Sequence, residues 1–342
     1  MRKNRIIPQF LVNMVVFFGI ATFAVFSTQL SAAPNYYYSS IDYTEYQALG
    51  VFQEVEQVEK IEAYLQNTVS GLTVSYREVL DALVASGLQV FIKGGGIRDL
   101  LSLTASDPHD LDIVVTGTME DLISTLNNTC WRYTHLPGGR VVYIGDHRNH
   151  PIEVFPLNGV PVAGNENFLE FTINDILYDC NAKRFFYGFE IGFEDLRHDR
   201  LNIVAKDWSQ WLYRDKGWDY HKIFRFWKMV GKGYVFSTEL ANFFYNETMR
   251  VLRENPEKFQ RNLLVYLGSH YHCFDDLYHG SVAAMGYDWA QQNVLSLREG
   301  VEKKSKDIEE KKDQYTYMPI SHETYVKIKT YSFLLQNIGG FP

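Results

Sequence analysis

The chain has 342 residues, 46% of them hydrophobic and 22% charged, with a formal net charge of −8. This is the composition of an ordinary soluble protein, long enough to bury a large core and form two domains. So acidic a chain is a poor general binder of polyanions and needs localised positive charge to hold one.

In chain order, Arg2, Lys3 and Arg5 precede a nearly continuous apolar run from Phe10 to Phe26, followed by the small and polar residues Ser27 to Ala33. A charged start, an apolar middle and a small-residue end predict a Sec-type signal peptide over residues 1–33. Pro34 disfavours cleavage directly after Ala33, so a cut after Ala32 or nearby is expected. The alternative is an uncleaved anchor, but the run is short for a span and Asn13 interrupts it. No cysteine follows the run, which argues against a lipoprotein. The expectation is an exported protein with no stable membrane partner after cleavage. Loss of Arg2, Lys3 and Arg5 would make the mature chain still more acidic.

Residues 34–84 read as an N-terminal helical segment. A tyrosine-rich linker, Pro34 to Ser40, leads into an amphipathic helix from Ile41 to Gln66, with Val55, Val58, Ile61 and Leu65 at helical spacing. A second helix is predicted over Tyr76 to Ala85. The next unit, Leu88 to Ser124, reads as strand, helix, strand, helix. Its first strand, Leu88 to Ile92, runs into Lys93-Gly94-Gly95-Gly96-Ile97-Arg98-Asp99, and its second is Asp110-Leu111-Asp112-Ile113-Val114-Val115. Glycines let the backbone adopt positive φ and approach a ligand closely. The helix starting near Ile97 would aim free N–H groups at an anion. No Gly-Lys-Ser/Thr follows, so this is not a P-loop, and the spacing is not that of a dinucleotide fingerprint. Residues i and i+2 of a strand share a face, so Asp110 and Asp112 project together. Paired carboxylates beside a glycine turn suit a Mg²⁺-dependent phosphoryl-transfer site.

Short strands follow at Trp131–His135, Arg140–Ile144 and Ile152–Phe155, the first two joined by a hairpin turn at Pro137-Gly138-Gly139. Glu153 reads either as a third metal-site acid or as an ordinary strand-edge acid. From about Ser209 the chain reads as helical. Lys222, Arg225, Lys228 and Lys232 recur at helical spacing and form either a basic strip or a solvated face. His147 and His150, and His270 and His272, read as surface or packing histidines and not as metal ligands. The charge-dense stretch Val301 to Gln314 reads as an exposed helix or linker and not as a binding site. Cys130, Cys180 and Cys273 suit neither a zinc site nor a disulfide framework.

Gly95-Gly96-Ile97-Arg98-Asp99 followed by Asp110-x-Asp112 resembles the head domain of the class II tRNA nucleotidyltransferase and bacterial poly(A) polymerase family, within the polymerase-beta-type superfamily. Three later segments match in the family's order. Phe171 to Asp179 resembles the Arg-Arg-Asp-Phe-Thr-Ile-Asn motif and the helix after it. Gly192-Phe193-Glu194-Asp195-Leu196 with Arg200 resembles a short glycine-rich loop, and Asp219 to Lys228 resembles the base-reading helix. The resemblance covers about residues 85–235. Departures are Phe168 and Leu169 for two arginines, Trp218 for a glutamate and Lys222 for an arginine, while the motif's acid survives as Glu170.

The resemblance implies an α+β fold. Residues 85–207 would form a nucleotidyltransferase head with a mixed sheet, and residues 208–342 an α-helical neck and short body. It implies transfer of a nucleoside monophosphate from ATP or CTP to a hydroxyl, by family analogy an RNA 3′ end, with release of pyrophosphate. Asp110 and Asp112 would hold Mg²⁺, with Glu153 as the third catalytic acid. Gly95, Gly96 and Arg98 would cradle the triphosphate, with Asp99 orienting Arg98 or the sugar. Glu170 and Asn174 would shape the sugar pocket. Asp219 and Lys222 would face the base, with Arg225 near the phosphates. Export conflicts with this chemistry, because nucleoside triphosphates are scarce outside a cytoplasm. Two alternatives therefore stay open: a secreted effector or toxin-like enzyme that modifies a protein or small molecule, and a non-catalytic relic of the fold.

Overall fold

Alternation of side chains along the central strands decides the architecture. Val90 and Ile92, Leu111, Ile113 and Val115, Val142 and Ile144, and Ile152 and Val154 all enter one large hydrophobic core. The residues between them, including Lys93, Asp112, Tyr143, Glu153 and Phe155, face the other way and line a cleft. One sheet thus has one face in the main core and a second face that carries the cleft beside a small apolar cluster of Phe91, Val114 and Leu157. Slipping any strand by one residue would exchange the faces. Each buried Val, Ile or Leu is worth about 1.5–3 kcal/mol, so such slips are strongly disfavoured.

The computed structural model describes residues 51–317 apart from 53–54, 103–107, 159–170, 175, 188–189, 204–207, 215–216 and 219. The predicted leader and linker, the first part of the predicted 41–66 helix, Glu170 and Asp219 lie outside the described residues. The chain runs β1 (Val51–Phe52), α1 (Val55–Tyr64), α2 (Tyr76–Ala85), β2 (Val90–Lys93), α3 (Gly95–Leu101), β3 (Leu111–Val115), α4 (Met119–Asn127), β4 (Tyr133–His135), β5 (Val142–Ile144) and β6 (Ile152–Pro156). A 3₁₀ turn, Thr172–Asn174, precedes β7 (Ile176–Asp179), β8 (Arg184–Tyr187), α5 (Glu190–Arg197) and β9 (Arg200–Leu201). Then come α6 (Trp208–Leu212), β10 (Tyr213–Arg214), β11 (Gly217–Trp218), α7 (Tyr220–Gly231) and β12 (Val235–Phe236). The rest is α8 (Thr238–Glu254), α9 (Pro256–Ser269), α10 (Phe274–Met285), α11 (Tyr287–Asn293), α12 (Arg298–Asp313) and β13 (Thr316–Tyr317).

The fold is α+β, a sheet-bearing head followed by a helical region, as expected. The main sheet has nine strands in the order β1-β8-β7-β2-β3-β6-β5-β4-β13. Its pairs are antiparallel except β3 with β6, which run parallel and set Asp112 opposite Glu153. Helices α1, α2 and α4 cover the apolar face with Ile61, Leu80, Leu83, Leu122 and Leu126. Capping boxes start α2 at Ser75 with Glu78, and α4 at Thr118 with Asp121, satisfying the free N–H groups of each first turn. In the helical region α7 lies against α10. A Cβ on Gly280 would overlap the Trp227 carbonyl, and one on Gly231 the Asp276 carbonyl.

Three local expectations are corrected. Val51–Phe52, placed in the first helix, pairs with Phe185–Phe186 as an edge strand. The segment after Asn174, expected as a helix, is β7, wholly buried between β2 and β8. A strand buried on both faces is a continuous apolar run, which periodicity alone does not separate from a buried helix. The expected glycine-rich loop at 192–196 is helix α5, where a Cβ on Gly192 would stand 2.7 Å from the Thr172 carbonyl oxygen, so the glycine permits close packing. The charged stretch at 301–314, expected as an exposed helix or linker, is helical. It forms most of α12, which returns to the head, and β13 then pairs with β4.

Candidate active site

The site begins at the turn from β2 into α3. Gly94 has φ +60°, a conformation open to glycine and poor for other residues. Gly94 and Gly95 line a cleft of about 1670 Å³. Gly96 does not. A Cβ there would stand 3.0 Å from Leu111 Cδ1, so its role is to let α3 pack on β3.

Across the turn, Asp112, Glu153 and Tyr143 form a row on β3, β6 and β5. Asp110, just ahead of β3, lines the same cleft. Burial pushes the Asp112 carboxyl above its usual range, and the charge of Asp110 adds to this, while Lys93, Arg225 and Lys228 oppose it. Burial, then Asp112 and Asp110, push Glu153 well above the usual range. Tyr143 is raised by burial and by Glu153 and stays a phenol. Crowded, desolvated carboxylates with hard oxygen donors fit a divalent cation, whose charge would let them ionise together.

Arg98 is buried at the cleft wall. Its Nε donates to Asp99 Oδ1 at 2.9 Å and its Nη1 to Asn174 Oδ1 at 3.0 Å. Lys232 Nζ donates to the other oxygen of Asp99 at 3.0 Å. Burial works against the Asp99 charge, but Arg98 and Lys232 outweigh it and hold the carboxyl below its usual range. Asn174 is held in turn from α5, because Thr172 Oγ1 in the same 3₁₀ turn donates to Asp195 Oδ2 at 2.6 Å. Arg200 lies 3.3 Å from Asp195. The segment around Asp195 therefore positions Asn174, and Asn174 positions Arg98.

From the helical region, Arg225 and Lys228 of α7, and Lys232 directly after it, line the cleft. Lys222, expected beside the base, is only 3% exposed and does not line it. The strip predicted from four cations is thus divided by packing. On the remaining side stands α12, where Glu309 and Lys312 line the cleft. His147 Nε2 lies 3.1 Å from Glu309 and 3.4 Å from Asp313, Arg148 pairs with Asp313, and Lys312 Nζ sits 4.3 Å from the Tyr143 ring centroid.

Sequence reasoning missed Lys93, Tyr143, α12 and a histidine cluster. His109 and His272 stack with ring centroids 3.5 Å apart and planes at 13°. Their ligand atoms and that of Asp110 lie within 4.8 Å of one another. Burial, with nearby cations, lowers His109 to about 4; burial and His109 lower His272 to about 2, so both are neutral at physiological pH. His109 directly precedes Asp110, a signal available in the sequence. His272 belongs to the helical region and carries no local signal.

No family model and no curated protein matches the chain. Solved structures do. A CCA-adding enzyme in complex with ATP is 13% identical with a TM-score of 0.47, over 77% of this chain and 73% of that one. The Thermotoga maritima CCA-adding enzyme complexed with tRNA is 14% identical with a TM-score of 0.46, over 75% and 63%. The Bacillus stearothermophilus CCA-adding enzyme in complex with CTP is 16% identical with a TM-score of 0.45, over 67% and 56%. The chain spans 46% of a CCA-adding enzyme solved with CTP and 59% of a tRNA-processing enzyme in an apo form.

Proposed function

We propose that the protein is a nucleotidyltransferase that moves a nucleoside monophosphate from ATP or CTP to a hydroxyl acceptor, with an RNA 3′ end as the first candidate. The observation that carries this reading is the row Asp112–Glu153 on adjacent parallel strands, with Asp110 beside it and the Gly94–Gly95 turn facing it across the cleft. In the reaction the acceptor oxygen bonds to the α-phosphorus, the bond to the β-phosphate oxygen breaks, and the hydroxyl proton is lost. Asp110, Asp112 and Glu153 would hold a divalent cation, Mg²⁺ by the family resemblance. When bound, it would lower the pKa of the attacking hydroxyl and offset charge on the phosphates.

The chain's own residues supply the rest. Gly94 and Gly95 allow the backbone to approach the phosphates. Lys93, Arg225 and Lys228 face the carboxylate group and concentrate positive charge on an otherwise acidic chain. Arg98 enters pre-oriented by Asp99 and Asn174. The cleft of about 1670 Å³ exceeds the ~300–1,000 Å³ usual for one small ligand, which leaves room for an acceptor.

One observation favours a second acceptor class. The chain carries a net charge of −8, which suits a protein or small-molecule hydroxyl better than RNA. Incubating the purified mature protein with each labelled nucleotide, Mg²⁺ and mixed acceptors separates the readings. Label in RNA supports the first and label in protein or small molecule the second. No incorporation with any donor would leave a non-catalytic relic. The reading also takes the protein as exported, with residues 1 to about 32 removed. An intact Met1 in the exported product, read by mass spectrometry, would overturn that part.

A further inference from the structure

We infer that the hydroxyl of Tyr143 is itself a nucleotide acceptor, so that the protein attaches a nucleoside monophosphate to its own cleft wall. The inference rests on the nucleotidyl-transfer reading and adds a modification site to it.

The order of the strands carries the argument. Across the cleft face run β2, which ends at the Gly94–Gly95 turn, then β3 with Asp112, β6 with Glu153 and β5 with Tyr143. In phosphoryl transfer the attacking and leaving oxygens stand roughly in line, on opposite sides of the phosphorus. With the leaving phosphates at the glycine turn and the α-phosphate at the acids, the attacking oxygen enters from the Glu153 side. Tyr143 stands on that side. It is paired with Glu153 across β5 and β6, an arrangement that sets the two Cβ atoms about 4.5–5.5 Å apart. Both side chains line the cleft, and a tyrosine reaches further from the sheet than a glutamate. The hydroxyl is thereby carried past the carboxylate, toward the space a substrate would fill.

Two observations single this hydroxyl out. Among the described residues that line the cleft, the other side-chain hydroxyls belong to Tyr266, Ser269, Tyr271 and Ser305, all from the helical region. Tyr143 alone stands on the sheet beside the acids. Its ring is also held while its oxygen is left unengaged. Lys312 Nζ lies 4.3 Å from the ring centroid, and among the described residues the hydroxyl has no hydrogen-bond partner.

In the transfer the phenol oxygen bonds to the α-phosphorus of the nucleoside triphosphate. The bond from that phosphorus to the β-phosphate oxygen breaks, pyrophosphate leaves with the bonding pair, and the phenol proton passes to water in the cleft. Burial and the neighbouring acids keep Tyr143 a neutral phenol in the metal-free protein, so the transfer should require the divalent cation.

The test uses the full mature chain with α-labelled ATP or CTP, Mg²⁺ and no added acceptor. Label should enter the chain to no more than one per molecule, a chelator should prevent it, and peptide mass spectrometry should place it on Tyr143. Tyr143→Phe keeps the ring beneath Lys312 and should lower self-labelling by about tenfold or more. Circular dichroism checks that the variant folds, and a triphosphate analogue with a non-cleavable α,β-bridge should bind it as it binds the parent. Label on another residue, undiminished label in Tyr143→Phe, or label that persists with the chelator would overturn the inference. An unlabelled chain in a reaction that labels an added acceptor would also overturn it, and nucleotidyl transfer would stand. Chain and acceptors all left unlabelled would sink both.

Discussion

Asp112 and Glu153 show how one residue's environment sets its chemistry. An acid whose pKa rises on folding keeps a proton in the native state where the unfolded chain has lost it. Stability then falls as pH climbs from the ordinary carboxylate range toward the raised value. Metal-free protein should therefore lose melting temperature as pH rises from about 4.5 toward 7, and a divalent cation should restore it. Glu153→Gln should flatten that slope and stabilise the metal-free fold at pH 7 by on the order of 1–2 kcal/mol. Thermal melts of the two proteins across this range check it, and equal slopes would mean that Glu153 is not held protonated. Asp110→Asn or Asp112→Asn should reduce nucleotide incorporation by about 10²–10³-fold with the fold intact, since each removes an oxygen from the proposed cation and neither belongs to the core. Full Mg²⁺-dependent incorporation by both variants would refute the site. The two aspartates could be picked out from their spacing alone. The partnership of Arg98 with Asn174 could not, because it is made between residues far apart in the chain.

Among the elements, β5 and β6 were readable because apolar and polar residues alternate along them, and β2 and β3 because each is a short apolar run bounded by the glycine turn or the aspartate pair; both are local properties. β7 and α5 were misread because one is buried on both faces and the other owes its glycine to a neighbouring carbonyl. Glycine is again decisive where α7 crosses α10. Gly280→Ala would drive a methyl group into the Trp227 carbonyl and should destabilise the protein by about 3 kcal/mol or more. A denaturation midpoint equal to the parent's would show that these helices lie farther apart. At the head of α3, Gly94→Ala imposes a positive φ on a side-chain-bearing residue, costing about 1–3 kcal/mol. Its Cβ would stand 3.6 Å from Asp112 Oδ2, ordinary contact, so the loss should come from the backbone and show in unfolding curves.

At the scale of the molecule, the cleft exists because the chain returns on itself. Helix α12 crosses from the helical region to the head, where Glu309 and Asp313 meet the buried His147, and β13 extends the sheet beside β4. Burial opposes the Glu309 charge, but the neighbouring His147, 3.1 Å away, and Lys312 hold its carboxyl below the usual range. Replacing Glu309 and Asp313 with alanine should leave His147 without its acidic partners, costing about 1–3 kcal/mol. Hydrogen exchange over residues 298–313 should then quicken; unchanged protection would mean that the β13 pairing alone holds the helix. By itself the sequence determined the two-faced strands, the glycine turn and the aspartate pair, because each depends on residues a few positions apart and on the period of a strand. Only the tertiary structure decided that Glu153 stands opposite Asp112, that His272 reaches His109 and Asp110, that Lys222 turns inward, and that a charged helix walls the cleft. These follow from strand register and from the packing of distant segments, which no local period encodes.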